Sequence, residues 1–297
     1  MRPHISIIIP TKNAGKLFKY TLDMICRQCI DKDFEIIIID SGSTDNTLKI
    51  ASEYTDKIYR IGPEDFHHAR TRNLGALYAK GEILVFMVQD AVPLNTSWLY
   101  NLTLPLYRCG NVVAVYGRQI PYGSHPQYIR ELHAKLYPKA STILRPVEKV
   151  YKIFLLYPYT SSCNFASRRG FFIKHPFNNL INFAEDKEWA YRIMRISSLE
   201  NKEYVIVYNS KAAVVHSHNF SLLNLMWRRS NDGCALRKIE EIHEGGMLHL
   251  FKLGGLIRTY NCSSISSLFK QVKLKSTPII IIQLIGFLYG YLLGKNL

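Results

Sequence analysis

Phe34-Glu35-Ile36-Ile37-Ile38-Ile39-Asp40-Ser41-Gly42-Ser43-Thr44-Asp45 decides how this chain is read: an apolar run rich in β-branched residues stops abruptly in carboxylates and hydroxyls. A run without polar alternation predicts a strand buried on both faces, and the polar cluster marks its carboxyl end. The pattern occurs once before. Ile5 to Ile9 is a second apolar run, stopping at Pro10-Thr11-Lys12-Asn13 ahead of amphipathic spacing that predicts a helix over Phe18 to Gln28. A third run, Ile83 to Val88, ends in Gln89-Asp90. Strand, helix, strand, helix, strand predicts an α/β fold, a mostly parallel sheet with helices on both faces. Ligands of such open sheets sit at the carboxyl ends of the strands, so these polar clusters are expected to line one crevice.

The 297 residues, 47% hydrophobic and 21% charged, suffice for a full core and predict one large domain with an appendage. With 38 Lys and Arg against 23 Asp and Glu, the formal net charge of +15 points to an anionic partner. A phospholipid surface or a phosphorylated substrate fits. Nucleic acid is not expected, because zinc-finger spacing, an RNP-type aromatic signature and a basic heptad helix are all missing. Six scattered cysteines and an N-terminus that reads as a strand rather than a signal peptide predict a reducing, cytoplasmic compartment. Cys26-Arg27-Gln28-Cys29 stands alone in a helical stretch, and a metal site would need a second pair.

Further along, His67 to Ala76 reads as entering a helix that ends at Gly81, and Val112 to Tyr116 as a strand running into Gly117-Arg118-Gln119. Ile120 to Tyr159 has no clear periodicity and carries Pro121, Pro126, Pro138, Pro146 and Pro158, which suits a lid or acceptor-side loop. Glu185-Asp186 opens a helix through Ile196, Tyr204 to Tyr208 reads as a strand, and Ala213 to Val215 leads into His216-Ser217-His218. After that the character changes. Leu222 to Ile239 is helical and basic, and Pro278 to Gly294 is apolar and uncharged behind Lys270, Lys273 and Lys275. That last stretch falls short of the ~20 residues a spanning helix needs, so spanning is marginal and a helix lying on, or inserted obliquely into, an anionic membrane surface is expected. Packing on the core or on a second subunit is the alternative. The division is residues 1–220 for the sheet domain and 221–297 for a helical, membrane-associated region.

Ser6 to Asn13, Asp40 to Asp45, Ala69 to Ala76, Gln89-Asp90-Ala91, Glu185-Asp186-Lys187-Glu188-Trp189 and His216-Ser217-His218, in this order, resemble the family 2 glycosyltransferases of GT-A fold. More narrowly, Phe66 to Ala76, Gln89-Asp90-Ala91 in place of the usual Asp-x-Asp, Gly117-Arg118-Gln119 and Trp227-Arg228-Arg229-Ser230 are similar to bacterial rhamnosyltransferases of surface polysaccharide synthesis. The resemblance implies an inverting transfer from a nucleotide-diphosphate sugar, dTDP-L-rhamnose, to a lipid-linked saccharide. A UDP-hexose donor is the runner-up, since Asp40 does not tell uracil from thymine. An inactive sugar-nucleotide-binding subunit of an assembly complex is the reading from another class. A dinucleotide oxidoreductase is set aside, because the first strand is not followed by GxGxxG.

Inverting transfer needs a base for the acceptor hydroxyl, positive charge on the departing diphosphate, and a donor held for in-line attack. The resemblance assigns the base to Asp186, with Glu185 orienting it or binding acceptor hydroxyls. A helix N-terminus lowers a carboxylate's basicity, and desolvation opposes that. Asp40 would accept from the pyrimidine imide, with Pro10, Thr11, Asn13, Ser41 and Gln89 shaping the nucleotide pocket, and Arg72 would reach the diphosphate. Asp90 would hold a divalent cation, Mg²⁺ or Mn²⁺, with His216 or His218. These two alternate on an extended segment, so only one is expected to point inward. Arg118, Trp189, Trp227 and Arg228 are acceptor-side candidates, with Trp189 either stacking on a sugar or filling the core.

Overall fold

The computed structural model describes residues 3–144, 160–219, 221–244, 285–290 and 292–293. Their nine strands form one sheet: β1 (Ile5–Thr11), β2 (Phe34–Asp40), β3 (Ile58–Arg60), β4 (Ile83–Met87), β5 (Val92–Pro93), β6 (Val112–Ile120), β7 (Thr142–Leu144), β8 (Asn164–Arg168) and β9 (Val205–Val215). The order is β3-β2-β1-β4-β8-β6-β9-β5, with β7 also on β9. β3, β2, β1 and β4 are parallel throughout, and β8 runs antiparallel to both β4 and β6. β1 and β2 pair in register from Ile5↔Phe34 to Thr11↔Asp40, which sets their polar ends side by side.

The continuous apolar runs have a direct cause. Successive strand residues point to opposite faces, and both faces are covered. Ile5, Ile7, Ile9, Ile36 and Ile38 pack with Phe18, Leu22 and Ile25 of α1 (Gly15–Cys26) and with Trp98, Leu99 and Leu102 of α4 (Trp98–Arg108). Ile8, Ile37, Ile39, Leu84 and Phe86 pack with Ala69 and Ala76 of α3 (His68–Tyr78) and with Trp189 and Ile193 of α7 (Glu185–Leu199). Gly75 lets α3 approach β1, since a Cβ there would overlap the Ile8 side chain.

Pro-rich 120–159 contains α5 (Gln127–Leu136) and β7, and residues 145–159 lie outside the described residues. Two shorter helices complete the sheet unit, α2 (Thr47–Ser52) and α6 (Arg169–Lys174). The chain separates into two compact units, one of residues 1–180 and 185–218, the other of 181–184 and 219–297. In the second, α8 (Leu222–Glu244) packs with residues 285–290, where Gly286 and Gly290 meet the Met226 and Ser230 backbone. Of Pro278 to Gly294, residues 278–284, 291 and 294 are outside the described residues. Among the described residues no helix is long and apolar enough to cross a membrane.

Candidate active site

At the tip of β2, Asp40 is wholly buried, and both carboxylate oxygens are engaged. The Gly42 and Ser43 amides donate to one oxygen at 3.1 and 2.9 Å, and the Thr11 and Ser43 hydroxyls donate to the other. The turn requires Gly42 at φ +83°, a region that side chains other than glycine adopt at a cost. Ser41 is buried too, its amide and hydroxyl both donating to the Thr11 carbonyl at 2.9 and 3.0 Å. Asp40, expected to accept from a pyrimidine imide, here holds the turn that follows β2 and ties it to the end of β1, and Thr11 and Ser41 are turned toward the same junction. Pro10, half-buried, and Asn13, exposed, are the accessible members, with Asn13 Oδ1 accepting from the Thr44 amide at 2.8 Å.

Gln89 braces the next strand tip. The Lys12 amide donates to its Oε1 at 2.8 Å, and its Nε2 donates to the Lys12 carbonyl at 3.1 Å, which ties the end of β1 to the end of β4. Asp90 follows immediately. Its carboxylate lies 3.6 Å from His216 Nε2, and donor atoms of Asp90, His216 and His218 all fall within 4.8 Å of one another. The backbone leaves β9 at Val215, so the alternation expected of an extended segment stops there and both imidazoles reach Asp90. This overturns the expectation that only one would. Two donors on one ion at ~2.1 Å stand at most ~4.2 Å apart, so a small side-chain movement closes the set. One carboxylate with two imidazoles suits Mn²⁺ better than Mg²⁺, which prefers oxygen.

Glu185 and Asp186 open α7 beside the segment 160–162, which precedes β8. Asp186 Oδ2 accepts from the Ser162 amide at 2.8 Å, and its carbonyl accepts from the Thr160 hydroxyl at 2.6 Å. Burial raises its pKa first and the neighbouring Glu185 charge second; the Ser162 amide, Lys187 and Arg72 oppose them without reversing the direction. Of the two opposing influences expected on this carboxylate, desolvation prevails. A raised pKa makes a better base.

Arg72, 3% exposed, is placed differently from the expectation of a side chain extended to phosphate. Its Nη1 lies 3.3 Å from Glu185 Oε1 and donates to the His68 carbonyl at 3.1 Å. Glu185 is equally buried and accepts from the Ser162 hydroxyl at 2.9 Å, so it braces the acid pair rather than reaching toward an acceptor. Trp189 is fully buried among Phe165, Phe172 and Phe177, with Nε1 donating to the His175 carbonyl at 2.6 Å. That corrects the stacking role: Trp189 is core. Arg118 is half-buried and its Nε donates to the Tyr137 carbonyl at 3.2 Å. Trp227 and Arg228 are exposed on α8 in the second unit, where Arg228 sits 5.5 Å over the Phe183 ring.

Two groups went unselected by sequence reasoning. Thr160-Ser161-Ser162 cradles the acid pair, and a hydroxyl run carries no spacing that announces such a role. Gln119, noted only within Gly117-Arg118-Gln119, accepts from or donates to His216 Nδ1 at 2.9 Å and donates to the Ser161 hydroxyl at 2.6 Å. His216 lies 3.6 Å from Asp90 and bonds through Gln119 to Ser161, whose neighbour Ser162 donates its amide to Asp186 and its hydroxyl to Glu185, the partner of Arg72.

The sequence pattern described as Glycosyl transferase family 2 matches residues 6–187. The O-antigen chain rhamnosyltransferase RfbN of Salmonella typhimurium is 32% identical over 221 residues, covering 73% of this chain and 67% of its own. WbaN of Salmonella anatum, with the same description, is 32% identical and covers 74% and 68%. Among solved structures, the Pyrobaculum calidifontis mannosyltransferase PcManGT in complex with GDP-Man and Mn²⁺ superposes with TM-score 0.59 at 17% identity, covering 99% of this chain and 86% of that one. TarS 1-349 of S. aureus gives 0.54 at 18% identity, covering 97% and 80%. With the family pattern matching residues 6–187, which hold Asp90 and the Glu185-Asp186 pair at the ends of a curled α/β sheet, this chain belongs to the family 2 glycosyltransferases, with the GT-A fold.

Proposed function

We propose that this glycosyltransferase moves L-rhamnose, with inversion, from dTDP-rhamnose to a lipid-linked oligosaccharide during surface polysaccharide synthesis. The observation that carries the chemistry is Asp186, a carboxylate held by the Ser162 amide with its pKa raised by burial. The choice of rhamnose and of a lipid-linked acceptor rests on the relatives RfbN and WbaN.

In this reading Asp186 takes the proton of the attacking hydroxyl as the bond to the anomeric carbon forms and the bond to the nucleoside diphosphate breaks. Glu185 and Arg72 keep that carboxylate placed and desolvated. Asp90, His216 and His218 would hold a divalent cation, which would supply positive charge for the departing diphosphate. Pro10 and Asn13 border the nucleotide, with the Asp40 turn fixing their backbone. Arg118 is the acceptor-side candidate of the sheet unit, Trp227 and Arg228 on α8 are those of the second unit, and the region 221–297 associates with the cytoplasmic membrane surface through its basic and apolar residues.

A panel of nucleotide sugars tested for thermal stabilisation, with and without Mn²⁺, examines donor and cation together. A ligand at a hundred times its Kd stabilises the native state by about 2.7 kcal/mol. dTDP-L-rhamnose is expected to raise Tm most, and more with Mn²⁺. A larger rise with a UDP-hexose would replace the donor, and a response unaffected by chelator would remove the cation.

A further inference from the structure

One buried amide stands behind the cation-binding candidates and is used by none of the chemistry above. Gln119 is 5% exposed, and its side chain meets three buried partners: the Tyr137 hydroxyl at 2.8 Å and the Ser161 hydroxyl at 2.6 Å from Nε2, and His216 Nδ1 at 2.9 Å from Oε1. Every polar atom of this amide is thereby engaged. The β6–β9 register shifts between Gly117 and Gln119, and such a break re-aims a side chain. On its far side Ile120 accepts from the His216 amide at 3.0 Å, so the backbone of the histidine is fixed as well as its ring.

An imidazole ligates through a nitrogen that carries no proton, and the bond made by the other nitrogen selects which one that is. With Nε2 of Gln119 donating to two hydroxyls, Oε1 is left facing Nδ1 and accepts from it. We infer that Gln119 is a positioning residue that holds His216 as the Nδ1-protonated tautomer, turning the Nε2 lone pair toward Asp90, 3.6 Å away. The inference rests on the cation site proposed above for its purpose. Its central statement, the tautomer, holds or fails in metal-free protein.

Long-range ¹H–¹⁵N correlation spectra of metal-free, ¹⁵N-histidine-labelled protein at pH 8, with His216→Ala identifying the ring, read the tautomer directly. Nδ1–H is expected, and an Nε2–H ring in the wild type overturns the inference whatever binds nearby. Mn²⁺ affinity, measured from the free-ion electron paramagnetic resonance signal, gives the second readout. Gln119→Met, close in volume and with a thioether that accepts far more weakly than an amide oxygen, is expected to weaken Mn²⁺ binding 10–100-fold. Gln119→Glu, which still accepts from Nδ1–H, is expected to bind within a few-fold of wild type. Wild-type affinity in a folded Gln119→Met overturns the inference. Wild-type protein that binds no Mn²⁺ refutes the cation site instead, and the tautomer measurement then judges Gln119 by itself. Should Gln119→Met not fold, the wild-type spectrum still decides.

Discussion

At the residue scale, the acid pair shows how environment assigns roles to adjacent carboxylates. Asp186 is held in place by amides while burial raises its pKa, whereas Glu185 faces Arg72. Because the proposed base must be ionised to act, kcat/KM is expected to fall on the acid side with a midpoint above the ~3.9 of an ordinary aspartate. An acid limb at or below that value would contradict the assignment. Trp189→Ala is expected to cost about 3–5 kcal/mol of stability, read by denaturant unfolding, because it empties a filled core site. A change confined to acceptor KM would restore its stacking role. Residue types at the strand tips were legible in the sequence, but their directions were not. A carboxylate just past a strand serves a ligand or its own turn equally well, and at Asp40 the Gly42 and Ser43 amides both donate to one oxygen.

At the scale of elements, α3 and α7 are tied by the buried Arg72–Glu185 pair. Removing one partner strands a buried charge, so Arg72→Ala is expected to cost about 3–5 kcal/mol. Arg72→Met with Glu185→Met should cost less than the two single changes summed; additive losses would mean the pair is not coupled. β1 and β2 are joined similarly by Glu35, which accepts from Ser6 Oγ, the Lys80 amide and Lys57 Nζ. Burial would raise its pKa, but the Lys57 and Ser6 bonds prevail and lower it. A depressed carboxylate contributes stability above its unfolded pKa, near 4.3, and loses it as pH falls through the folded value. Wild type is therefore expected to unfold at higher denaturant than Glu35→Gln at pH 7, with the gap closing under acid. A gap independent of pH would contradict the ionised bonding. The strands β1, β2 and β4 were readable because each is an uninterrupted apolar run. β8, with the sequence Asn-Phe-Ala-Ser-Arg, was not, since Asn164 and Ser167 are buried through hydrogen bonds that pattern reading does not see.

At the scale of the molecule, a net charge of +15 and the apolar C-terminal stretch motivate contact with an anionic membrane surface. Sedimentation with vesicles containing anionic lipid is expected, weakening with salt as screening grows. Truncation after Ser276 should abolish it, and sedimentation that persists would refute the tail as anchor. Glycosyl transfer is assigned to one active site with Asp186 as its base. Turnover of dTDP-L-rhamnose with a lipid-linked acceptor by the purified protein, compared with Asp186→Asn, tests this most directly. The wild type is expected to transfer, and the variant to fall by about 10²–10⁴-fold while still binding the donor. Equal turnover by the two proteins would contradict it.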